Sequence, residues 1–297
     1  MLKQRHVTHR LSGQPASDGA GVKLQRIIGQ PALPRLDPFL LLDHFSSDQP
    51  DDYIAGFPAH PHRGFQTVTY MLAGKMRHRD SKANEGIISA GGIQWMNAGR
   101  GLIHEEIPQQ TAGLLSGFQL WVNLPAEQKM SDPGYQDIPP EAVPRIQHNS
   151  ATIDILAGSV EGVTGPVKHV PVDPLFVHIN TDHATQVSVA ITESHTAFCY
   201  CYQGGLIIAG SNDEDNQHVN TVQNNATTSA GTQINEGELA VLSEGASVTL
   251  QMAANSGCIV IAGAPLNEPV VQYGPFVMNT QQQIDQALKD YQAGNFG

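Results

Sequence analysis

Apolar positions in this chain come in short runs, each closed off by Gly, Pro, Asn or Asp, and the pattern recurs nearly throughout. Val68-Thr69-Tyr70-Met71-Leu72, Phe118-Gln119-Leu120-Trp121-Val122, Ile153-Asp154-Ile155-Leu156 and Val187-Ser188-Val189-Ala190-Ile191 are examples. Gly205-Leu206-Ile207-Ile208-Ala209, Ser247-Val248-Thr249-Leu250 and Cys258-Ile259-Val260-Ile261-Ala262 continue it. Runs of this length, with turn residues between them, predict an all-β protein of sandwich or barrel type. Only the end departs. Ile284, Ala287, Leu288 and Tyr291 fall on one helical face, and Thr280 with Gln283 makes a capping box. One amphipathic α-helix is expected there, with its apolar stripe against the core.

The two halves look like one β unit used twice. A strand run around Gly74 leads to Gly86, Gly91, Gly92 and a further strand; one around Gly204 leads to Gly231, Gly237 and Glu238-Leu239-Ala240-Val241. Between them, Leu124 to Pro144 is rich in Pro, Glu, Gln and Asp and carries no strong period. The expected organisation is an N-terminal β domain over 1–130, a linker over 131–146, a second β domain over 147–278 and the helix over 279–297. Ser211 to Glu236, polar and rich in Asn, Thr and Gln, is expected to be a long exposed loop or hairpin excursion.

Composition narrows the function classes. At 297 residues either half can bury a core of its own. The formal net charge of −12, without any cluster of Lys and Arg, argues against direct nucleic-acid binding or an anionic membrane surface. The polar start has no apolar signal region and no stretch reaches membrane-span length, so a soluble, cytoplasmic monomer is expected. Three cysteines are too few for a disulfide framework, and Cys199 and Cys201 read as small buried hydrophobes.

Two short motifs carry the chemistry. Side chains at i and i+2 of an extended strand share a face. His60 and His62, in His60-Pro61-His62, can therefore aim both imidazoles at one point. His104 and Glu106, in His104-Glu105-Glu106, can do the same from a second strand. Side by side, such strands bring three imidazoles and a carboxylate to one cation. That donor set suits a divalent first-row metal such as Fe(II) and leaves positions open for water, substrate or dioxygen. A lone HxH is a common chance pair; the second same-face pair, in a Gly-rich setting, is what makes it a site. The second half has no HxH and no GxGxxH, which confines the site to the first.

Gly99-Arg100-Gly101-Leu102-Ile103-His104 resembles the end of the second cupin motif, with Gly99 in place of Pro, and Gly56 with His60-Pro61-His62 resembles the first with a shortened lead. Longer stretches are similar to the pirin family: Phe57 to Tyr70, His78-Arg79-Asp80-Ser81, Ile93 to Gly101, His104-Glu105-Glu106, and the ending Pro265 to Thr280. The resemblance spans nearly the whole chain. It implies two tandem cupin domains of jelly-roll β-barrel type, with one mononuclear iron held in the first by His60, His62, His104 and Glu106. Ni, Cu, Mn or Zn also suit these donors. The family's described activity is quercetin 2,3-dioxygenase chemistry, which implies a flat aromatic substrate, dioxygen, and Glu106 as a catalytic group. Other members are redox-linked regulators, which implies a protein partner instead. Gln66 stands where Glu is usual and is expected to alter hydrogen bonding near the metal. Trp95 is either core or an aromatic wall of the substrate pocket, and Arg63 either neutralises an anionic substrate or forms a structural ion pair.

Overall fold

Along Leu102–Pro108 burial alternates without a break, and the buried members are Leu102, His104, Glu106 and Pro108. Period-two burial marks a strand with one face inward. Ionisable residues among its buried members mark a strand that lines an internal site, since an unpaired buried charge is too costly for a plain core.

The computed structural model describes residues 3–210 and 231–296; most of the polar stretch anticipated as an excursion, 211–236, lies outside them. The chain forms two compact units, each threaded by three segments. One comprises Gly13–Val143, Pro166–Val172 and Pro265–Gly297; the other comprises Met1–Ser12, Pro144–Gly165 and Asp173–Ala264. The boundaries drawn from sequence at 130, 146 and 278 differ from this threading, because the pairings that set it are between distant segments. The first strand, β1 (Val7–Ser12), pairs antiparallel with β22 (Glu238–Leu242). Within the expected linker, β12 (Gly134–Ile138) pairs with β9 (Ile93–Asn97).

In the unit that holds the histidines, a seven-stranded sheet runs in the order β12, β9, β6 (Phe65–Ala73), β11 (Leu115–Asn123), β4 (Phe39–Ser47), β3 (Val22–Ile28) and β2 (Gln14–Asp18). A four-stranded sheet runs β5 (Phe57–His62), β10 (Leu102–Pro108), β7 (Lys75–Asp80) and β8 (Glu85–Ser89). Val22, Leu24, Phe45 and Met71 from the large sheet pack with Met76 and Ile88 from the small one. The two inner faces thus share a core at one end and leave the other to polar residues.

The second unit repeats the plan. Its large sheet is β1, β22, β19 (Thr196–Gln203), β24 (Ser256–Gly263), β17 (Leu175–Thr181), β14 (Ala151–Ala157) and β13 (Arg145–His148). Its small sheet is β18 (Thr185–Ala190), β23 (Ser247–Met252), β20 (Gly205–Ile208) and β21 (Thr232–Asn235). Here the inward residues are aliphatic throughout: Ile153, Val177, Val187, Val189, Leu250 and Val260 share one cluster, with the free, buried Cys199, Cys201 and Cys258 among them. Two short hairpins, β15 (Ser159–Val160) with β16 (Val163–Thr164) and β25 (Val271–Tyr273) with β26 (Phe276–Met278), complete the strands.

The helix α1 (Gln281–Gln292) begins on the expected capping box, with the Gln283 amide donating to Thr280 Oγ1 and the Thr280 amide donating to Gln283 Oε1. Ile284 and Ala287 are buried against Phe276, Met278 and Phe296.

Candidate metal centre and its cavity

The chain enters β5 through Gly56, whose φ of +61° is a left-handed conformation, and a Cβ there would meet the Glu106 carbonyl at 2.6 Å. Gly101, with φ of +143°, opens β10 in the same way, since a Cβ would press on the Phe296 ring at 3.0 Å. The glycines let the two strands lie side by side. His104 then stands directly opposite His60, and Leu102 opposite His62.

Three imidazoles meet as a result. Ring centroids are 4.5 Å apart for His60 and His104, 4.6 Å for His60 and His62, and 5.0 Å for His62 and His104. One nitrogen from each lies within 4.8 Å of the other two. His62 is 2% exposed and His104 1% exposed, and none of their four ring nitrogens has a hydrogen-bond partner. Buried polar atoms without partners are costly, so the cluster is built for something that takes up lone pairs. Burial, helped by the neighbouring imidazoles, pushes the pKa of both far below the usual histidine range and keeps them neutral. The His60 Nδ1 lies 2.8 Å from the Pro58 carbonyl oxygen. A carbonyl only accepts, so Nδ1 carries the proton and Nε2 offers a lone pair. Three imidazoles gathered in this way fit a divalent metal ion.

Glu106 is placed differently from the other three. The ladder slips between His104 and Glu106, which faces Phe57 instead of Pro58, so β5 carries one extra residue there. The Glu106 side chain lines the same cavity as His60 and His62, yet its carboxylate falls outside the three-imidazole group. Thr69 Oγ1 donates to its Oε1 at 2.9 Å, and burial raises the pKa of its carboxyl. Of the four expected ligands, three are gathered and the fourth stands beside them on a threonine.

The cavity holds about 620 Å³. Leu24, Leu41, Phe45 and Trp121 give it apolar walls, while His60, His62, Glu106 and Gln119 bring polar groups to it. Its aromatic wall is Trp121, whose ring packs on Phe65 at 4.5 Å and on His62 at 5.4 Å.

Three expected pocket residues lie elsewhere. Gln66 and Trp95 sit on the other face of the large sheet from Thr69, where Trp95 Nε1 donates to Gln66 Oε1 at 3.0 Å, and both line a separate cavity of about 240 Å³. The turn at Arg63-Gly64 separates β5 from β6, so counting by twos from His62 to Gln66 does not carry the inward face across it. Arg63 is buried, ion-paired with Asp290 at 2.6 Å and set over the Phe296 ring at 4.5 Å. The sequence reading passed over Thr69, Gln119 and Trp121. A polar residue at an inward position of an otherwise apolar strand was the available signal for the first two.

Comparisons with known proteins agree with this geometry. Residues 21–122 match the family model described as Pirin, and residues 176–297 match the Pirin C-terminal cupin domain. A protein of Pseudomonas aeruginosa named as a putative quercetin 2,3-dioxygenase is 42% identical over 99% of either chain. The human protein named Pirin is 36% identical, covering 100% of this chain and 96% of its own length. The solved quercetin 2,3-dioxygenase from Acinetobacter baumannii superposes with a TM-score of 0.85 at 29% identity over 99% of both chains. A bacterial pirin from Escherichia coli, in complex with nickel(II), shares the fold at a TM-score of 0.60 and 16% identity, over 89% of this chain and 99% of that one.

Proposed function

The chain belongs to the pirin family, with two cupin domains and one C-terminal helix, and from that premise we propose that it is a metal-dependent dioxygenase. Its substrate is a flavonol such as quercetin, which it cleaves with dioxygen. The single observation that carries this reading is an open cavity of about 620 Å³ walled by His60 and His62, the latter without a hydrogen bond at either ring nitrogen. That volume lies in the range of pockets for drug-sized ligands.

His60, His62 and His104 would hold the metal, Fe(II) being the ion we assign, which would supply Lewis-acid and redox chemistry for the reaction of substrate with dioxygen. The protein's own residues do the rest. Trp121 and Leu41 offer flat apolar contact to the rings and keep water from them. Thr69 Oγ1 donates to Glu106 Oε1 and so fixes which carboxylate oxygen is held. Oε2 is therefore the atom offered to the cation or to the 3-hydroxyl proton of a flavonol. A carboxyl whose pKa burial has raised is suited to accepting that proton. The names of the Pseudomonas and Acinetobacter relatives support the same assignment. The regulator reading calls for a closed mouth, and the open cavity weighs against it.

The test is anaerobic loading with Fe(II), then admission of oxygen with quercetin while the flavonol absorption is followed. Metal-dependent bleaching, absent from a His60→Ala variant that retains no iron, is the expected outcome. Stoichiometric iron without bleaching moves the assignment to an iron-responsive regulator.

A further inference from the structure

The inner face of the large sheet carries a row of polar side chains at a single register level. Arg26 on β3 stands opposite Asp43 on β4, Asp43 opposite Gln119 on β11, and Gln119 opposite Thr69 on β6. Every neighbour above and below in these strands that lines the cavity is apolar: Leu24, Leu41, Phe45 and Trp121. Three strand spacings separate Arg26 from Thr69, roughly 14 Å, enough for a ligand of two or three aromatic rings. His62, buried and without a hydrogen bond at either ring nitrogen, enters the same cavity.

The row divides into two bonded groups. At one end, Arg26 Nε donates to Asp43 Oδ1 at 2.9 Å and Nη2 to Asp43 Oδ2 at 2.7 Å. Arg26 Nη2 also donates to Asp18 Oδ2 at 2.8 Å, and Asp18 lines the cavity too. Two carboxylates on one guanidinium leave a net charge of −1, with its surplus on the half-exposed Asp18. At the other end, Thr69 Oγ1 lies 2.7 Å from Gln119 Oε1 and 2.9 Å from Glu106 Oε1. A hydroxyl carries one proton and cannot serve both acceptors. A half-turn of the Gln119 amide resolves this: Nε2 donates to Thr69, Thr69 donates to Glu106, and the Gln119 carbonyl oxygen is left to the cavity.

We propose that this row, resting on the dioxygenase reading above, is a specificity strip of hydrogen-bond acceptors. Gln119, Asp43 and Asp18 take the hydroxyl protons of a flat, uncharged, polyhydroxylated aromatic ligand and repel a carboxylated one. Asp43 and Asp18 are already held by Arg26, and Asp18 Oδ1 by the Gly19 amide, so each takes a ligand hydroxyl through a remaining lone pair; a ligand without matching donors forfeits these bonds, and like charge adds to the discrimination.

Three flavonols test the strip against the Fe(II)-loaded protein without oxygen, with Kd read from ligand fluorescence: 3-hydroxyflavone, its 3′,4′-dihydroxy derivative, and its 4′-carboxylate. The dihydroxy compound is expected to bind roughly tenfold more tightly than the unsubstituted one, the size of a hydrogen bond to a charged acceptor, and the carboxylate more weakly than either. Asp18→Asn, at a half-exposed position, should narrow both gaps. Equal affinities for all three, or an Asp18→Asn variant with the wild-type order, overturn the strip. Oxygen is then admitted. The expected affinity order without bleaching refutes the dioxygenase reading and leaves the strip standing. Bleaching of all three without any order refutes the strip alone, and failure of all three to bind refutes both.

Discussion

Thr69 is the residue through which the two halves of the site communicate. Its hydroxyl fixes Glu106 Oε1, and it stands opposite Gln119 in the ladder. Valine has the same shape without the hydroxyl, so Thr69→Val frees the Glu106 carboxylate and leaves the Gln119 amide without its partner on β6. Supporting hydrogen bonds around metal sites are typically worth about 10–100-fold in activity or metal affinity. Turnover by Thr69→Val should fall within that range, and Thr69→Ser should restore most of it. A Thr69→Val enzyme with full kcat and an unchanged pH profile would show that Glu106 needs no such support. The clustering of the three imidazoles was legible in the chain, because strand parity places His60 with His62 on one face and His104 on the inward face of its own strand. Glu106 was only half legible: its parity was right, but the extra residue in β5 is a property of the pairing and not of either strand. Gln66 was not legible, since parity is lost across the Arg63-Gly64 turn, whereas Trp95 is buried, as the core alternative of its two readings has it.

At the scale of elements, α1 and the β5–β6 turn are held by one ion pair. Arg63 is 4% exposed, and its guanidinium meets Asp290 at 2.6 Å from the last turns of the helix. Arg63 immediately follows His62, so the helix steadies the strand that carries two imidazoles. The burial periodicity of Ile284 and Ala287 and the Thr280 cap were readable in advance, because both are local. The ion pair was not, being set between residues far apart in the chain. Asp290→Ala leaves a buried cation unpaired and should cost about 3 kcal/mol, visible as a lower denaturant midpoint. Thr280→Ala removes only the cap and should cost about 1 kcal/mol. Equal effects would mean that Arg63 finds other support. Lys129 makes a second tie across the same turn: its Nζ donates to the Gly64 carbonyl at 2.7 Å, Asn123 Oδ1 at 2.6 Å and the Val277 carbonyl at 3.1 Å. Burial brings its pKa down to about 8.

Across the whole molecule, the buried histidines couple stability to pH and to metal. Burial lowers the pKa of His44 to about 4, and it also lowers those of His62, His78, His104 and His195. In the unfolded chain such groups titrate near 6.5. Above that pH neither state binds the protons, and these residues leave the balance unchanged. Below it the unfolded chain binds more protons than the folded one, so stability falls as the pH falls. Glu106 and Asp43 work in the opposite sense, because a carboxyl pKa raised by burial favours the folded state at low pH, but they are two groups against several. The metal-free protein should therefore melt at a lower temperature at pH 5.5 than at pH 7.5. Metal binding draws on lone pairs that burial keeps free of protons at His62 and His104, so Fe(II) should raise the melting temperature by a similar amount at pH 7.5 and at pH 5.5. Thermal melts with and without chelator at the two pH values separate the contributions. A metal-dependent shift present at pH 7.5 and lost at pH 5.5 would mean that the clustered imidazoles take up protons in the folded state. A metal-free protein indifferent to pH over that range would mean that the cluster relaxes to admit water before it titrates.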